Sequence, residues 1–504
     1  MTYVLGIDVG TSACKAALVD ETGRVAASAG AAYPVHTPRS GWAEQDPDDW
    51  WRGVCAAVRE VLQTAAVDPR NIAAVGVDGQ SWSAVAVDRD GNALGPTPIW
   101  MDTRAEDVCA EWRETVGEQA VFAVCGNPLK PSYTAPKAAW YKRHLPALYG
   151  KTQKILQSNG YIVLKLTGVC SQDKSQGYGW HCFDLKTCAW DAVLCRALGL
   201  DPDLLPDVAD CHAVVGTVTP SAAALCGLAE GTPVVAGGLD AACGTLGAGV
   251  IQAGQTQEQG GQAGGMSICC AEAKTDIRLI TSPHVVPGRW LLQGGTTGGG
   301  GVMRWLEREF GAAERDRARQ TGESVFALLD EAAAAVPPGS DGVVFLPYMA
   351  GERSPLWDPD ARALFYGMDM RTTKGHLIRA ALEGVAFALR HNLEVAEEAG
   401  APVSVLRAVG GAANSPLWTQ IKADVTGKPL EIPDAETATA MGAAILAGVG
   451  AGVFADFADA VAKCVTVRRT VTPDPAHKAV YDERYALYRR LYPAYQILER
   501  KQQP

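Results

Sequence analysis

Two apolar runs near the amino terminus predict a pair of β-strands joined by a short polar turn. Val4–Ile7 and Ala16–Val19 are rich in residues typical of strands. Between them lie the residues with useful chemistry: Asp8, Gly10, Thr11, Ser12 and Lys15. A plain β-hairpin explains this pattern. A turn of small residues can also offer its backbone N–H groups to an anion, beside a carboxylate that holds a hydrated metal ion. The spacing of a Walker loop is absent.

The combination of an apolar strand and a glycine-rich turn recurs along the chain. It is found in "IAAVGVDGQSWSAVAVDRDGN" (residues 72–92), in Val234–Ala236 before Asp240, and in Leu406–Val409 before Gly410 and Gly411. Because both halves of the chain carry such strand ends leading into helices, we predict two duplicated α/β domains that face a cleft. One large doubly wound sheet is the alternative.

Helical periodicity and capping residues predict where several helices begin. Apolar residues at helical spacing follow Asp46 and Asp48, so either aspartate is expected to cap a helix there. Asn414 and Ser415 are cap candidates for a later helix, and Pro416 suits its first turn. The uncharged segment 437–455 is dominated by Ala and Gly. It predicts a tightly packed buried helix and loop rather than a membrane span.

Composition narrows the class of protein. The chain has 504 residues, which predicts two or three domains with a large core. Its net charge of −11 argues against a general nucleic-acid or membrane binder. The 14 cysteines include no C-x-x-C pair, so we expect free thiols in a reducing cytoplasm. The first residues lack the basic region of a signal peptide, which also favours a cytoplasmic location.

Several segments, taken in order, resemble the FGGY carbohydrate kinases of the actin-like ATPase superfamily. The opening hairpin resembles the first phosphate motif of that family. "SYTAPKAAWYKRHLP" (residues 132–146) and "LFYGMDMRTTKGHLIRAALEGVAFAL" (364–389) resemble its two signatures, and "LPYMAGERSPLWDPDARALFYG" (346–367) the segment before the second. "AVGGAANSPLWTQIKADVTGKPLE" (408–431) resembles the adenosine motif. The closest likeness is to xylulose kinases, through "GWAEQDPDDWW", "VDGQSWS" and "PIWMDTRA".

The resemblance implies a particular architecture. We expect two actin-like, ribonuclease H-like ATPase domains around a central cleft. Residues 1–232 would form the N-terminal domain, with the sugar site and the first phosphate motif. Residues 233–470 would form the C-terminal domain, with the catalytic aspartate and the nucleotide site. Residues 471–504 would form a C-terminal helix that packs back on the first domain.

The resemblance also implies catalytic and phosphate-binding roles. Asp240 matches the general base that accepts the proton of the sugar hydroxyl, although an aspartate here could instead cap the next helix. Asp8 would orient Mg²⁺-bound water and phosphate. Gly10, Thr11 and Ser12 would contact the phosphates of ATP. Lys15 would add positive charge, or would be a solvated lysine on a strand.

The second phosphate motif and the adenosine motif complete the expected ATP site. Gly261 and Gln262 stand where the family carries a Gly-Thr pair, so the hydroxyl is lost, while the Gln262 amide can still donate a hydrogen bond. Gly410 and Gly411 would let the backbone approach the nucleotide. Asn414 would touch adenine or cap the helix. The resemblance therefore implies ATP and Mg²⁺ as cofactors, with ATP binding weakened by the altered motif.

The expected sugar pocket departs from the xylulose kinase pattern. Its candidate residues are Gln80, Ser81, Trp82, Asp102, Arg104 and Asp240. Trp82 would face the sugar or would be an ordinary core residue. Ser81 and Trp82 replace the usual Met-His pair, and Ala241 replaces the Asn after the catalytic aspartate. Because a site built to pair a hydroxyl discriminates strongly, these changes can alter the substrate.

The resulting functional hypothesis is ATP-dependent phosphorylation of a sugar hydroxyl, with xylulose or a related ketopentose as the acceptor and xylulose 5-phosphate as the product. A kinase for another sugar, polyol or aldonate is one alternative. A sugar- or nucleotide-binding pseudokinase is another. We expect a small-molecule partner, no nucleic acid and no membrane. A homodimer is compatible with the resemblance.

Overall fold

The computed structural model describes residues 1–434 and 437–500, with side chains as far as residue 497. The chain forms two compact units, each assembled from three segments. The first unit comprises Met1–Ala253, Cys269–Leu292 and Thr437–Thr466. The second unit comprises Gly254–Ile268, Gln293–Glu436 and Val467–Pro504, of which residues 435–436 and 501–504 lie outside the described part.

Groups of consecutive strands are separated by single helices or groups of helices along the chain. The strands are β1 Tyr3–Val9, β2 Ala13–Asp20, β3 Val25–Ala32, β4 Glu44–Gln45, β5 Ile72–Gly79, β6 Val85–Val87, β7 Thr97–Pro98, β8 Lys154–Leu156, β9 Ser171–Asp173, β10 Phe183–Asp184, β11 Ala189–Trp190, β12 Asp207–Ala209, β13 Val214–Thr217, β14 Pro233–Val235, β15 Gly238–Leu239, β16 Gln255–Gly260, β17 Gly264–Cys270, β18 Ile280–Pro283, β19 Trp290–Thr296, β20 Val344–Leu346, β21 Leu364–Tyr366, β22 Val405–Val409, β23 Leu430–Pro433 and β24 Val467–Val471.

The α-helices are α1 Pro47–Ala65, α2 Glu106–Thr115, α3 Glu118–Cys125, α4 Thr134–His144, α5 Pro146–Tyr149, α6 Ser158–Thr167, α7 Ala192–Ala197, α8 Pro220–Cys226, α9 Asp240–Gly247, α10 Gly300–Phe310, α11 Ala312–Thr321, α12 Val325–Ala334, α13 Lys374–Glu398, α14 Pro416–Thr426, α15 Ala438–Gly450, α16 Phe457–Cys464 and α17 Lys478–Arg500. Short 3-10 helices span Pro69–Asn71, Lys174–Trp180, Pro202–Leu204, Ser340–Gly342, Gly411–Asn414 and Pro475–His477.

The main sheet of the first unit has the strand order β13–β14–β5–β1–β2–β3, and β15 also pairs with β5. Strands β1 and β2 form the predicted antiparallel hairpin, in which Asp8 is paired with Lys15. Strand β1 runs parallel to β5, and there Asp8 is paired with Asp78. Helix α1 begins after Asp46, whose side chain accepts a hydrogen bond from the Asp48 backbone N–H, so the choice between the two cap candidates falls on Asp46.

Helix α15 packs tightly on this sheet and on α9, which confirms the buried helix predicted from the Ala- and Gly-rich segment. A Cβ atom on Gly6 of β1 would lie 1.8 Å from the Ala440 carbonyl oxygen, and one on Gly76 of β5 would lie 2.0 Å from that of Ala443. Neither distance leaves room for a side chain. The glycines of these central strands therefore allow the sheet and helix to approach closely.

The main sheet of the second unit includes the strand order β19–β17–β16–β22–β23–β24. Strand β16 runs parallel to β22, which in turn runs parallel to β23, so the carboxyl ends of these three strands lie at one edge. Of the two cap candidates, Ser415 caps α14 by accepting a hydrogen bond from the Trp418 backbone N–H, and Pro416 lies in the first turn as predicted. Helix α13 is buried along most of its length in the core of this unit.

The structure corrects the expected packing of the C-terminal helix. Helix α17 lies in the second unit, where Tyr481, Tyr485 and Tyr488 are buried in a core that includes Phe387 of α13. Its apolar stripe was predicted correctly, but its partner was not, because an amphipathic pattern shows that a face is buried without showing what covers it. The last four residues of the predicted segment lie outside the described residues.

The boundary expected near residue 232 is also wrong. The first unit continues to Ala253, so Asp240 belongs to the first unit and not to the second. The physical reason is strand pairing: β15 pairs in parallel with β5, with Gly238 opposite Asp78, and α9 then packs on α15. Each unit consists of three segments that are distant in sequence, so a single boundary residue cannot divide the chain into the two units.

Two expectations about general properties can be compared with the structure. All 14 cysteines are free thiols, in agreement with the prediction from their spacing. In the described ranges no helix is both long enough and apolar enough to cross a bilayer.

Candidate active site

Three aspartates stand at or just after the carboxyl ends of neighbouring strands in the first unit. Asp8 lies near the end of β1, and Asp78 lies beside it near the end of β5. Asp240 follows directly after β15, which pairs with β5. Asp78 is fully buried, Asp8 is almost so, and Asp240 is partly exposed. The carboxyl edge of a parallel sheet is where α/β proteins bind ligands, so this acidic edge is a candidate catalytic centre.

Burial and mutual repulsion change the acidity of these three groups. Burial, together with the negative charge of Asp8, raises the pKa of Asp240 to about 7. Burial also raises the pKa of Asp8, whereas the Lys15 ammonium opposes that rise. The pKa of Asp78 lies well above its usual range because of burial, with added repulsion from Asp8 and Asp240. Near neutral pH, Asp240 can therefore both accept and release a proton.

Asp78 has an unusual environment for a buried carboxyl group. Neither of its oxygens meets a hydrogen-bond donor among the described residues. Its polar neighbour is the Asp8 carboxyl group, so a proton held by Asp78 can be donated to Asp8 and lowers the pKa of Asp8. Buried polar groups are normally paired, and an exception of this kind is typical of functional sites.

The structure bears on the alternative role of Asp240 as a helix cap. Leu239 occupies the N-cap position of α9, and Asp240 is the first helical residue. The Asp240 carboxylate accepts a 2.6 Å hydrogen bond from the backbone N–H of Ala241, the residue directly after it, whereas a capping side chain reaches a backbone N–H two or three residues further along the chain. The side chain thus lacks the hydrogen bond that defines an N-cap.

The turn between β1 and β2 is held by side chains from other segments. The Gly10 carbonyl accepts a hydrogen bond from the Tyr33 hydroxyl at 2.7 Å. The Thr11 hydroxyl accepts one from the Trp100 indole N–H at 2.9 Å, and the Thr11 carbonyl accepts one from the Gln45 amide at 2.8 Å. Ser12 and Lys15 are exposed. The turn is therefore fixed before any ligand binds.

Gln80 is connected to that turn through Gln45. The Gln45 amide N–H₂ donates to the backbone carbonyls of Thr11 and Pro34, so its oxygen must accept. Gln80 donates to this oxygen at 2.7 Å, and the Gln80 amide oxygen is left buried without a donor among the described residues. Gln80 thus retains an acceptor that suits a hydroxyl group.

Trp82 and Ser81 follow Gln80 in an aromatic cluster. Trp82 has a positive φ of 58°, and its ring stacks on Tyr133 with 4.2 Å between the ring centroids. Its backbone N–H donates to the Gln157 amide oxygen at 3.0 Å. The side chain is 7% exposed, and Ser81 is half-buried. The core interpretation of Trp82 agrees with this packing, while its contact with a sugar stays a prediction.

Asp102 and Arg104 are engaged with the protein itself. Arg104 forms ion pairs with Asp102 and Glu44, both at 2.7 Å. Its guanidinium lies 3.7 Å from the ring centroid of Trp42, and Asp102 also accepts a hydrogen bond from the Ala43 backbone. Both side chains are almost completely buried. Their role as sugar contacts stays a prediction, because these groups already have partners.

The second unit contains a cleft of about 520 Å³ at the carboxyl ends of β16 and β22. Of the predicted nucleotide residues, Gly261, Gln262, Gly411 and Asn414 line it, and Gly410 directly precedes Gly411. Apolar side chains line another part of its wall: Met303, Phe326, Ala327, Leu382, Pro416 and Trp418. Ser415 and Asp330 also line it, joined by a 2.6 Å hydrogen bond. An apolar wall next to a glycine-rich turn fits a nucleotide.

The loop at residues 261–263 is anchored from two sides. Below it, the Lys422 ammonium and the Glu258 carboxylate form a buried ion pair at 2.6 Å. Beside it, the first backbone N–H groups of α10 donate to the carbonyls of Gly261 at 2.8 Å and Gln262 at 2.9 Å. The Arg304 guanidinium of α10 donates to the Gln262 amide oxygen. The loop is thereby joined to the start of α10.

Sequence reasoning did not identify Asp78 or Arg304 as candidate functional residues. Asp78 lies in a strand that repeats the pattern of the opening strand, so aligning the two strand ends would have placed it beside Asp8. Arg304 follows the "TTGGGG" segment by three residues, but nothing in that spacing indicates which cleft its side chain lines.

Comparison with known proteins gives a consistent result. The model of the FGGY family of carbohydrate kinases, N-terminal domain, matches residues 3–247, and that of the C-terminal domain matches residues 270–451. The chain is 31% identical to a xylulose kinase of Bacillus subtilis (strain 168), covering 98% of this chain and 97% of the relative. It is 30% identical to a gluconokinase of the same organism, covering 99% and 96%. The crystal structure of xylulose kinase from Rhodospirillum rubrum aligns with a TM-score of 0.88 at 33% identity, covering 98% of this chain and 99% of that one.

Proposed function

Because the chain belongs to the FGGY family of carbohydrate kinases, we propose that it transfers the terminal phosphate of ATP to a hydroxyl group of xylulose or a related ketopentose. The environment of Asp240 is the observation that supports this proposal most strongly. It combines partial exposure, a position at the carboxyl edge of a parallel sheet, and a pKa near 7. These are the properties that a general base for a sugar hydroxyl needs.

The chemistry assigned to Asp240 is proton acceptance. A sugar hydroxyl is a poor nucleophile until its proton is removed as the bond to phosphorus forms. The Asp240 carboxylate takes this proton and becomes the neutral acid. Its raised pKa makes the transfer more favourable than it would be for an ordinary aspartate. Asp8 supports this by placing negative charge nearby, which favours the protonated product state of Asp240.

The donor set at Asp8 and Asp78 fits Mg²⁺. Carboxylate oxygens are the ligands that this hard cation prefers, and the two oxygens of Asp78 have no donor in the described ranges. No group of three or more Asp, Glu, His or Cys side chains among the described residues is arranged for a metal ion. One or two carboxylates completed by phosphate and water are usual for Mg²⁺. When bound, the ion would neutralise charge on the transferred phosphoryl group.

The cleft of the second unit is the proposed nucleotide site. Its apolar wall suits a base, the Ser415–Asp330 pair suits ribose hydroxyls, and the loop at residues 261–263 suits phosphates. Asn414 lines the cleft and does not cap α14, since Ser415 has that role. This division favours adenine contact over capping for Asn414.

The charges near Asp240 favour a neutral sugar over an aldonate. Asp8 and Asp240, when ionised, place negative charge at one edge, which repels a substrate carboxylate. The cation proposed for the sugar pocket, Arg104, is already neutralised by Asp102 and Glu44. Gluconate is the second candidate, because a gluconokinase relative is 30% identical over nearly the whole chain.

A coupled assay of ADP release tests the proposal. The acceptor panel should contain xylulose, ribulose, a pentitol, glycerol and gluconate, with a reaction lacking acceptor as the control. We expect the highest kcat/KM with a ketopentose and the lowest with gluconate. Preference for gluconate would contradict the substrate assignment. Binding of sugar and nucleotide without ADP release would instead identify a pseudokinase.

A further inference from the structure

Arg304 contacts Gln262, the residue that stands in the second phosphate motif where the family carries a hydroxyl group. We propose that Arg304 binds the diphosphate group of the nucleotide in the cleft of the second unit, and that Gln262 holds the guanidinium in place until the phosphates arrive. This inference rests on the proposed function, because it assigns a phosphate-binding residue to the same nucleotide site.

The charges along the cleft support this role. Arg304 is the one Lys or Arg side chain among the described residues that line the cleft, and it lies with Gly261 and Gln262. The acidic lining residue, Asp330, is engaged with Ser415 at the start of α14. A nucleotide diphosphate carries several negative charges, and guanidinium groups bind phosphate oxygens through paired, charge-assisted hydrogen bonds.

The other sources of positive charge near the loop are already used. The backbone N–H groups of Gly300 and Gly301, at the start of α10, donate to the carbonyls of Gly261 and Gln262. The Lys422 ammonium is buried in its ion pair with Glu258. Neither the first amides of this helix nor this lysine can turn to a ligand without breaking those contacts. Arg304 is exposed, and its guanidinium donates a hydrogen bond to the neutral Gln262 amide.

Gln262 is suited to be a temporary partner. Its amide oxygen accepts from Arg304, and an ionised phosphate oxygen is a stronger acceptor than an amide oxygen. A Cβ atom on Gly301 would lie 2.4 Å from the Gln262 side-chain nitrogen, so glycine at this position makes room for the amide. Nucleotide binding would therefore exchange one acceptor for a better one without moving α10.

Isothermal titration of the full-length protein with ADP and with adenosine tests the proposal. Arg304→Gln should weaken ADP binding by about 10- to 100-fold, the range expected for a charged hydrogen bond, and leave adenosine binding unchanged. Arg304→Lys should give an intermediate loss, since it keeps the charge but not the planar fork. Gln262→Glu should also weaken ADP binding, because a carboxylate would hold Arg304 and repel phosphate. Arg308→Gln is the control, since Arg308 lies on the same helix but bonds to Glu309.

The outcomes separate this inference from the proposed function. Equal loss of ADP and adenosine binding in Arg304→Gln would show a general disturbance of the cleft and would overturn the inference. Unchanged ADP binding in both Arg304 variants would overturn it as well, while leaving the kinase assignment intact. If the unaltered protein binds neither ADP nor ATP, the nucleotide site itself is wrong and the proposed function fails.

Discussion

The acidic edge of the first unit and the loop cleft of the second unit treat buried charge in opposite ways. At the acidic edge, the Asp78 carboxyl group is buried with no hydrogen-bond donor among the described residues, and its neighbour Asp8 is a second acidic group. Beneath the loop of the second unit, the buried Glu258 is neutralised by Lys422 at 2.6 Å. In the described part of the chain the acidic edge thus lacks a buried cation for its carboxyl groups, whereas the carboxylate beneath the loop has one.

This difference matches two functions: proton acceptance in the first unit and a fixed loop conformation in the second. A proton acceptor gains from neighbours that raise its pKa, so unbalanced charge near Asp240 is useful although it costs stability. A loop that must hold one shape gains from a paired charge beneath it and from backbone hydrogen bonds beside it. The comparison can be tested by removing charge from each region.

The largest expected effect is on turnover. Asp240→Asn keeps the shape of the side chain and removes its basicity, so kcat should fall by about 10²–10⁴-fold. Sugar affinity should change much less, since an amide can still bond a hydroxyl. Steady-state kinetics and sugar binding on one preparation measure both quantities. Asp90→Asn, in an exposed turn of the same unit, is the control. Near-normal turnover in Asp240→Asn would remove this residue from the mechanism.

The second effect is on the stability of the second unit. Lys422→Met leaves the Glu258 carboxylate buried without its partner, which should cost about 3–5 kcal/mol of unfolding free energy. Lys428→Met is the matched control. Its pair with Glu397 is partly exposed to solvent, so its loss should cost about 0–1 kcal/mol. Denaturant unfolding measures both variants. Similar losses in the two would mean that the buried pair has no special role beneath the loop.

The third effect is a gain in stability, in contrast to the loss expected for Lys422→Met. Asp78→Asn should raise the melting temperature near neutral pH, because each unit of pKa elevation costs the folded state about 1.4 kcal/mol there. The folded pKa of Asp78 is raised above its unfolded value, so the penalty exists above the unfolded pKa. The gain should therefore shrink as the pH falls through about 4, because both states hold the proton only below the unfolded pKa. A lower melting temperature for the variant near neutral pH would contradict the account of unbalanced charge.

The sequence was informative wherever the physical cause is local. The hairpin at the amino terminus, the cap residue Ser415, and the buried Ala- and Gly-rich helix α15 follow from neighbouring residues, and the structure agrees with each. The family resemblance likewise named four of the residues that line the cleft of the second unit. Capping, turn formation and periodicity act over a few residues, so the sequence displays them directly.

The features that were missed depend on pairing between distant segments. Asp78 becomes significant through the parallel register of β5 with β1, and Asp240 joins the first unit because β15 pairs with β5. Arg304 becomes significant because α10 begins against the loop at Gln262. The partner of α17 was mistaken for the same reason. Apart from the repeated strand pattern, which would align Asp78 with Asp8, the sequence displays none of these registers.

The dependence of kcat/KM on pH tests the central claim most directly. If Asp240 must be ionised to accept the sugar proton, kcat/KM should fall about tenfold for each pH unit below its pKa and level off above it. The midpoint should lie near pH 7, the pKa that burial and Asp8 give this residue. The Asp240→Asn variant should lose this dependence, while any ionisation of the nucleotide would persist in both proteins. A profile with the same acid limb in both proteins, or no acid limb in the unaltered one, would contradict the assignment of Asp240 as the general base.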